Sequence, residues 1–149
     1  MTIPKIKQVY FEDVKVWDDL PSISRGPLAV TDLVLAASGV RDYYPGHHDQ
    51  GFAKASGAPD IFINTHFTIG LLHRVVENWM GPDGFIKKLR FRMQGMNMVG
   101  DTVVGKAKVM RKYKQDGENL VDIDVWLENK RGVATTASAI VSLPSRSKK

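Results

Sequence analysis

The sequence predicts an α+β domain in which an antiparallel sheet surrounds one central helix. Two patterns support this prediction. Apolar residues recur at helical spacing over residues 65–79, whereas after Gly84 they alternate with polar residues in a period of two. An antiparallel sheet with one solvated face needs an apolar element against its other face, and this helix is the only long apolar element in the chain.

The central helix is predicted to run from Thr65 to Trp79. Gly81 and Pro82, which follow it, are typical of a helix end. Its apolar residues form a wide stripe: Ile69, Leu71, Leu72, Val75, Val76 and Trp79. A stripe of this width indicates a helix that is buried on more than one side.

Four segments after Gly84 have the alternation of half-buried strands. The residues predicted to face inward are Leu89, Phe91 and Met93 in the first segment, Val103, Ala107 and Val109 in the second, Val121, Ile123, Val125 and Leu127 in the third, and Ala137, Ala139 and Val141 in the fourth. Asp116-Gly117 and Lys130-Arg131-Gly132 are turn sequences between the last three segments. These three strands are therefore expected to form an antiparallel meander.

A shorter helix is predicted upstream of the central one. Thr31 is interpreted as its N-cap and Gly39 as its end, and Leu33, Leu35 and Ala36 lie between them.

The composition is that of one ordinary globular domain, which we assign to residues 1–144. The chain has 149 residues, of which 43% are hydrophobic and 25% are charged, and no linker or internal repeat divides it. Its net charge of +5 includes three basic residues of the terminal segment 145–149, without which the charge is +2. We therefore expect a basic, disordered tail and no dedicated nucleic-acid surface.

The chain contains no cysteine, which excludes disulfide scaffolds, zinc ribbons and thiol nucleophiles. The first seven residues contain no apolar signal-peptide core, and nowhere do about 18 apolar residues follow one another, as a membrane span requires. The expectation is a soluble cytoplasmic protein with no membrane partner.

The densest polar cluster is the segment Arg41–Gly51, which its proline and glycines predict to be a loop. Asp42 and His47 lie five positions apart in it, and Pro45-Gly46 bends the chain between them. Such a loop can bring a carboxylate and an imidazole to one point, where they can act as acid and base. The alternative is a turn whose Asp and His cap helix ends or face water, and residue types alone favour that simpler interpretation.

Other chemistries have weaker support. In a metal site the neighbours His47 and His48 would point apart, and Asp49 with the distant His66 or His73 would have to complete the ligands. The spacings H-x-x-x-H and H-E-x-x-H are absent, so no metal site is expected. The chain also has no G-x-S-x-G elbow for a serine nucleophile and no Walker-type or G-x-G-x-x-G phosphate loop.

The start of the central helix is a second candidate position. At Asn64, Thr65 and His66, unpaired backbone N–H groups and the positive end of the helix dipole favour developing negative charge. His66 and His73 lie seven positions apart and share a face, which fits either a site or two partly buried helix residues. For His73 the structural role is favoured.

These segments resemble the MaoC-like hydratases and dehydratases, single-hotdog proteins related to (R)-specific enoyl-CoA hydratases. Asp42–Asp49 is similar to the D-x-N-P-x-H-x-D signature of that family. Tyr10–Val14 resembles its opening segment, Arg90–Arg92 followed by Gly100–Val103 resembles its later strand pair, and Gly132–Leu143 resembles its closing strand. The resemblance covers nearly the whole chain and implies the hotdog fold, a sheet wrapped around a central helix.

Three short segments show a narrower resemblance. His47–Asp49, Asp60–Asn64 and Trp79–Pro82 are similar to the small MaoC-like subunit of actinobacterial heteromeric steroid side-chain enoyl-CoA hydratases. In those enzymes the small subunit carries the catalytic pair, and a larger MaoC-like partner completes the CoA site. The resemblance therefore implies a bulky acyl group such as a steroid side chain, and either a homodimer or a heteromer with a second MaoC-like subunit.

The resemblance also implies a reaction, the syn hydration of a trans-2-enoyl-CoA thioester or the reverse dehydration, without a metal or redox cofactor. Asp42 is then the general base that takes a proton from water, and His47 orients that water. The backbone N–H of Thr65 stabilises negative charge on the thioester oxygen, and Asn64 and His66 belong to the same substrate-binding region.

Two positions depart from the family pattern. Tyr44 stands at the asparagine of the signature, which implies a reshaped pocket mouth and makes Tyr44 a substrate-binding candidate. Asn64-Thr65 stands at the usual His-Gly pair; Thr65 still supplies a backbone N–H, but its side chain leaves less room for substrate than glycine does. The alternatives are a hotdog acyl-CoA thioesterase and a non-catalytic MaoC-like subunit of a hydratase complex, and the pairing of Asp42 with His47 favours the hydratase over both.

Overall fold

The computed structural model describes residues 7–146. The helices are α1 (Val30–Gly39), α2 (Gln50–Ala55) and α3 (Thr65–Met80), and the strands are β1 (Ile23–Arg25), β2 (Phe85–Met93), β3 (Val103–Gln115), β4 (Glu118–Asn129) and β5 (Gly132–Ser142). Short 3₁₀ turns occupy Phe11–Asp13 and Pro45–His47. None of the helices within the described residues combines the length and the apolar character of a membrane span.

The five strands form one antiparallel sheet in the order β1-β3-β4-β5-β2, with β1 and β2 at its edges. β3, β4 and β5 follow one another along the chain and pair in that order, which confirms the predicted meander. The register aligns inward residues across the sheet, with Leu89 opposite Ala139, Ala139 opposite Ile123, and Ile123 opposite Val109.

The inner face of the sheet packs against α3. Leu72, Val75 and Val76 of the helix are completely buried, and the facing residues Val109 and Ile123 are 1% exposed. Each such side chain contributes about 1.5–3 kcal/mol relative to leaving it in water. The prediction of an α+β fold with a sheet around a central helix is confirmed.

The ends of α3 follow the sequence signals closely. Asn64 is the N-cap, and its Oδ1 accepts a hydrogen bond from the N–H of Phe67 at 2.8 Å. The helix ends at Met80, one residue later than predicted. Gly81 follows with a φ of 80°, a left-handed conformation that glycine adopts without strain.

The predicted start of α1 is wrong, because Ala29 and not Thr31 is its N-cap. The reason is Asp32, whose carboxylate accepts a hydrogen bond from the Ala29 N–H at 2.9 Å and also pairs with Arg25. An acidic residue in the first turn thus bonds back to the capping position, and the helix begins at Val30.

The prediction of a loop over Arg41–Gly51 is wrong in part. A 3₁₀ turn occupies Pro45–His47, and α2 begins at Gln50 because the Asp49 side chain accepts a hydrogen bond from the N–H of Phe52 at 2.9 Å. The edge strand β1 was not predicted, because its three residues are too few to show an alternation of apolar and polar side chains.

The predicted basic tail lies partly within the described residues. The Arg146 guanidinium donates to both carboxylate oxygens of Asp13, at 2.5 and 2.7 Å. Ser145 accepts a hydrogen bond from the Asn119 side chain at 2.9 Å. Residues 147–149 lie outside the described residues, so the disorder of the tail stays a prediction.

Gly105 on β3 faces α3 at a point where no side chain fits. A Cβ atom there would lie 2.5 Å from Val75 Cγ2 and 2.9 Å from Ile23 Cγ1. We expect Gly105→Ala to lower the free energy of unfolding by about 1–3 kcal/mol, because overpacking forces buried neighbours apart. Urea unfolding measures the change.

Gly70→Ala is the matched control for this prediction. Gly70 lies in the middle of α3, and apart from the backbone of its own helix no atom lies within 4 Å of the position its Cβ would take. Alanine there should raise the free energy of unfolding by about 0.5–1 kcal/mol. Equal effects of the two substitutions would contradict the proposed packing at Gly105.

Candidate active site

Asp42 and His47 lie on the segment between α1 and α2. The N–H of Asp42 donates to the carbonyl of Ala37 in the last turn of α1 at 2.9 Å. Pro45, with its fixed φ, opens the 3₁₀ turn, and the N–H of His47 donates to the carbonyl of Tyr44 at 3.1 Å. Both candidate side chains therefore stand on a short segment with a defined backbone.

The structure brings these two side chains together. Oδ2 of Asp42 lies 3.4 Å from Nε2 of His47, and the side chains are 29% and 8% exposed, respectively. The separation is longer than the usual N–H···O distance of about 2.7–3.2 Å, so both atoms are free to bond a third group. The pair reaches solvent through the carboxylate.

The other ring nitrogen of His47 is fixed. Nδ1 lies 2.9 Å from the carbonyl oxygen of Phe62. A carbonyl oxygen only accepts, so Nδ1 carries a proton, and Nε2 is the ring nitrogen that remains for Asp42 or a third group. The rings of Tyr44 and Phe62 pack edge-on against the imidazole, with centroid distances of 5.4 and 5.1 Å. The imidazole of His47 is thus held in one orientation, with Nε2 towards Asp42.

The first turn of α3 faces the same cavity as His47. This cavity has a volume of about 310 Å³ and is lined by His47, Phe62, Ile63, Thr65, Thr68 and the segment Met93–Asn97. The N–H of Phe67 is taken up by the Asn64 cap, whereas the N–H of Thr65 has no acceptor within residues 7–146. The positive end of α3 therefore meets the cavity at Thr65.

The remaining predicted site residues do not line this cavity. Asn64 is 2% exposed, and its Nδ2 atom has no hydrogen-bond partner within the described part of the chain. Asp42 and Tyr44 approach the cavity through their contacts with His47 and do not line it. His66 is exposed on the first turn of α3 and is also absent from the lining.

The other polar candidates lie apart from the pair. His48 is exposed. His73 pairs with Glu77 one turn along α3, with 3.2 Å between Nδ1 and Oε1, and Asp49 caps α2. Among residues 7–146, no group of three or more His, Asp and Glu side chains is arranged to hold a metal ion.

The sequence gives no indication of the cavity wall formed by Met93–Asn97. Met93, predicted to face the core, is 50% exposed and lines the cavity instead, because β2 ends there. The carbonyl of Met96 accepts hydrogen bonds from Arg131 at 3.0 Å and from Asn129 at 3.1 Å, and Asn129 also donates to Asn97 Oδ1 at 2.7 Å. The sequence marks Arg131 only as part of a turn, and a turn signal does not show which segment the turn contacts.

Asp101 anchors the same wall from a position that is 2% exposed. The Arg131 guanidinium donates to both of its carboxylate oxygens, one of them at 3.0 Å, and the N–H of Met98 donates to it at 2.7 Å. Burial raises the pKa of Asp101, but the hydrogen bonds and the charge of Arg131 outweigh that effect. The net result is a pKa below the usual 3.8.

A larger groove, of about 720 Å³, lies across the sheet and contains neither Asp42 nor His47. It is lined mainly by outward side chains of the strands, among them Arg90, Arg92 and Lys108. The two arginines are exposed, as expected from their alternation with inward residues. The smaller cavity at His47 is therefore the candidate active site.

An antiparallel sheet wrapped around one central helix is the hotdog fold. The family model for the MaoC like domain matches residues 23–135. The chain therefore belongs to the MaoC-like family, which confirms the resemblance seen in the sequence.

Individual relatives agree with this assignment. The 3-oxo-4,17-pregnadiene-20-carboxyl-CoA hydratase beta subunit of Mycobacterium tuberculosis is 32% identical over 113 residues, which are 76% of this chain and 84% of that protein. The ChsH1-ChsH2 complex from the same organism matches with a TM-score of 0.78 and 32% identity, over 87% of this chain and 98% of that chain. The R-hydratase PhaJ1 from Pseudomonas aeruginosa shares the fold, with a TM-score of 0.81, 17% identity, and coverage of 93% and 88%.

We expect Asp101→Asn to lower the free energy of unfolding at pH 7 by about 1.5–3 kcal/mol, because it weakens the charge-assisted hydrogen bonds that the buried carboxylate accepts from Arg131 and the Met98 N–H. The lowered pKa of Asp101 contributes stability that is fully present above the ordinary pKa of 3.8 and is lost as the pH falls through the folded pKa. The difference between wild type and variant should therefore shrink below about pH 4. Urea unfolding as a function of pH measures it, and a difference independent of pH would show that the carboxylate charge is not its source.

Proposed function

We propose that this chain is the catalytic subunit of an enoyl-CoA hydratase, which adds water syn across a trans-2-enoyl-CoA thioester or catalyses the reverse dehydration. The proposal depends on one observation. Asp42 Oδ2 lies 3.4 Å from Nε2 of His47, whose Nδ1 is held by the Phe62 carbonyl, and His47 shares its cavity with Thr65 at the positive end of α3. Membership of the MaoC-like family supports a hydro-lyase in general.

Two hydrogen-bond acceptors meet in the proposed site, the Asp42 carboxylate and Nε2 of His47. A water molecule that donates one proton to each of them presents its oxygen lone pair to the substrate. In the hydration direction this oxygen forms the bond to C3, and Asp42 takes one proton. The same acid–base pair returns a proton to C2 on the same face, so the step needs no metal or redox cofactor.

Negative charge develops on the thioester oxygen as water adds to C3. The Thr65 N–H, at the positive end of α3, is the proposed donor to this oxygen, and loss of such a donor costs about a hundredfold or more in rate. The side-chain Nδ2 of Asn64, a buried donor without a partner in the described residues, is proposed to assist Thr65 in stabilising this negative charge. Tyr44, in edge-on contact with His47, is proposed to meet the substrate near the entrance, and the exposed His66 to contact the part of the substrate outside the cavity.

We further propose a bulky acyl group such as a steroid side chain as substrate, and a second MaoC-like subunit as partner. The relative from Mycobacterium tuberculosis is named as the hydratase of a pregnadiene carboxyl-CoA and as a beta subunit, and the similar structure is a complex of two proteins. The cavity at His47, about 310 Å³, is open. A bulky thioester would extend beyond this cavity, and a partner subunit could cover the part that protrudes.

Asp42→Asn should abolish hydration and leave the fold intact. The amide has the shape of the carboxylate but cannot take a proton from water, so the rate should fall by about 10²–10⁴-fold. Loss of the enoyl-thioester absorbance measures the rate, and circular dichroism checks the fold. A rate within tenfold of the wild type would remove Asp42 from this role.

The neighbouring histidines supply a matched pair of variants. His47 is buried against Asp42, whereas His48 is exposed. His47→Ala should lower the rate about as much as Asp42→Asn does, while His48→Ala should leave it unchanged. Equal losses in both variants would show that the choice between the two histidines is wrong.

The proposed substrate and partner are tested together. The chain is purified alone and with any MaoC-like protein encoded beside it, and each preparation is assayed with a short-chain and a steroid-type enoyl-CoA. Hydration only with the partner and the bulky substrate supports the heteromer, whereas hydration of short chains by the chain alone identifies a homomeric (R)-specific hydratase.

Two other outcomes would replace the proposal. Release of free CoA without hydration would identify a hotdog acyl-CoA thioesterase. A complex that keeps its full activity with Asp42→Asn would make this chain a non-catalytic subunit.

A further inference from the structure

We propose that the β4–β5 turn, through Asn129 and Arg131, is a positioning element for His47 and for the start of α3. The inference rests on the catalytic role of His47 in the proposed function. It is drawn from a continuous series of hydrogen bonds that leads from this turn, through two loop segments, to Nδ1 of His47.

The first link is the peptide backbone of Phe62. Its carbonyl accepts the hydrogen bond from His47 Nδ1 at 2.9 Å, and its N–H donates to the carbonyl of Gly46 at 3.3 Å. Both backbone groups of Phe62 thus hold the 3₁₀ turn that carries His47. The tautomer and the orientation of the imidazole depend on where this one residue lies.

The second link holds Phe62 from its other side. The N–H of Ile63 donates to the carbonyl of Asn97 at 2.9 Å, and the carbonyl of Ile61 accepts from the N–H of Val99 at 3.1 Å. Successive residues of an extended chain direct their backbone groups to opposite sides. The segment 61–63 is therefore fixed between the His47 turn and the segment 97–99, and it moves if either of them moves.

The third link joins the segment 97–99 to the β4–β5 turn. Asn129 Nδ2 donates to Asn97 Oδ1 at 2.7 Å and to the Met96 carbonyl at 3.1 Å. Arg131 donates to the same carbonyl at 3.0 Å, and its guanidinium also donates to both carboxylate oxygens of Asp101. Asn97 and Asp101 are 3% and 2% exposed, so water cannot replace a lost partner without rearrangement.

The start of α3 depends on the same links. Ile63, which bonds to Asn97, directly precedes the cap residue Asn64 and the proposed oxyanion donor Thr65. A shift of the segment 97–99 would move the imidazole and the helix N–H together. Catalysis is sensitive to such shifts, since a displacement of about 1 Å can cost about a hundredfold in rate.

The test variant is Asn129→Ala in the full chain, together with its partner if activity requires one. We expect kcat to fall by at least about tenfold, with a smaller change in KM, because the imidazole and the Thr65 N–H are displaced from the reacting atoms while the parts of the substrate outside the cavity are not affected. Nitrogen NMR of the imidazoles gives an independent readout. In the wild type, His47 should show a protonated Nδ1 with slow exchange, and in Asn129→Ala this signal should broaden or disappear.

Asn119→Ala is the matched control. Asn119 lies at the opposite end of β4, where its side chain donates to the Leu143 carbonyl at 3.3 Å and to Ser145 Oγ at 2.9 Å. It should lower the thermal midpoint by a similar amount to Asn129→Ala but leave kcat and the His47 signal unchanged. Arg131→Ala is the second test variant and should reproduce the loss of kcat and of the His47 signal.

Equal falls of kcat in Asn129→Ala and Asn119→Ala, or an unchanged His47 signal in Asn129→Ala, would overturn the inference. Failure of the proposed function has a different signature, since the wild type would then hydrate no enoyl thioester. In that case the NMR comparison alone decides whether the β4–β5 turn positions His47.

Discussion

The enclosure of α3 by the sheet determines where the other parts of the molecule lie. Leu72, Val75 and Val76 are completely buried against it, so the helix cannot rotate or slide without losing apolar contacts worth several kcal/mol. Its N-terminus consequently has a fixed position and direction. The cavity that contains His47 and Thr65 favours negative charge because the positive end of the helix dipole faces it.

The region around the cavity is built on a different principle from the core. Its interior contains polar groups, above all Asn97 and Asp101, which would each cost free energy if they lacked partners. Arg131, Asn129 and backbone N–H groups satisfy them. Such a network adds less stability than apolar packing, but hydrogen bonds are directional and therefore define the orientation of the loops that carry the site.

Much of the fold could be predicted because helical and strand periods are local properties of a sequence. The start of α1 and the existence of α2 depend on single hydrogen bonds from Asp32 and Asp49, and an aspartate looks the same in a sequence whether it caps a helix or faces water. Although residue types alone favour an ordinary turn, the acid–imidazole pair could be predicted from its resemblance to a known signature. Its support could not, because Asn129 and Arg131 contact residues about 30 positions away, and one sequence contains no record of such pairs.

The strand β2 closes one side of the sheet and pairs only with β5 within the described residues. Its free edge exposes backbone donors and acceptors to which further strands could add, but its exposed side chains include Lys88, Arg90 and Arg92. Basic side chains on an edge strand oppose the stacking of further copies through like-charge repulsion. This repulsion is electrostatic, so concentrated salt, which screens charges, weakens it.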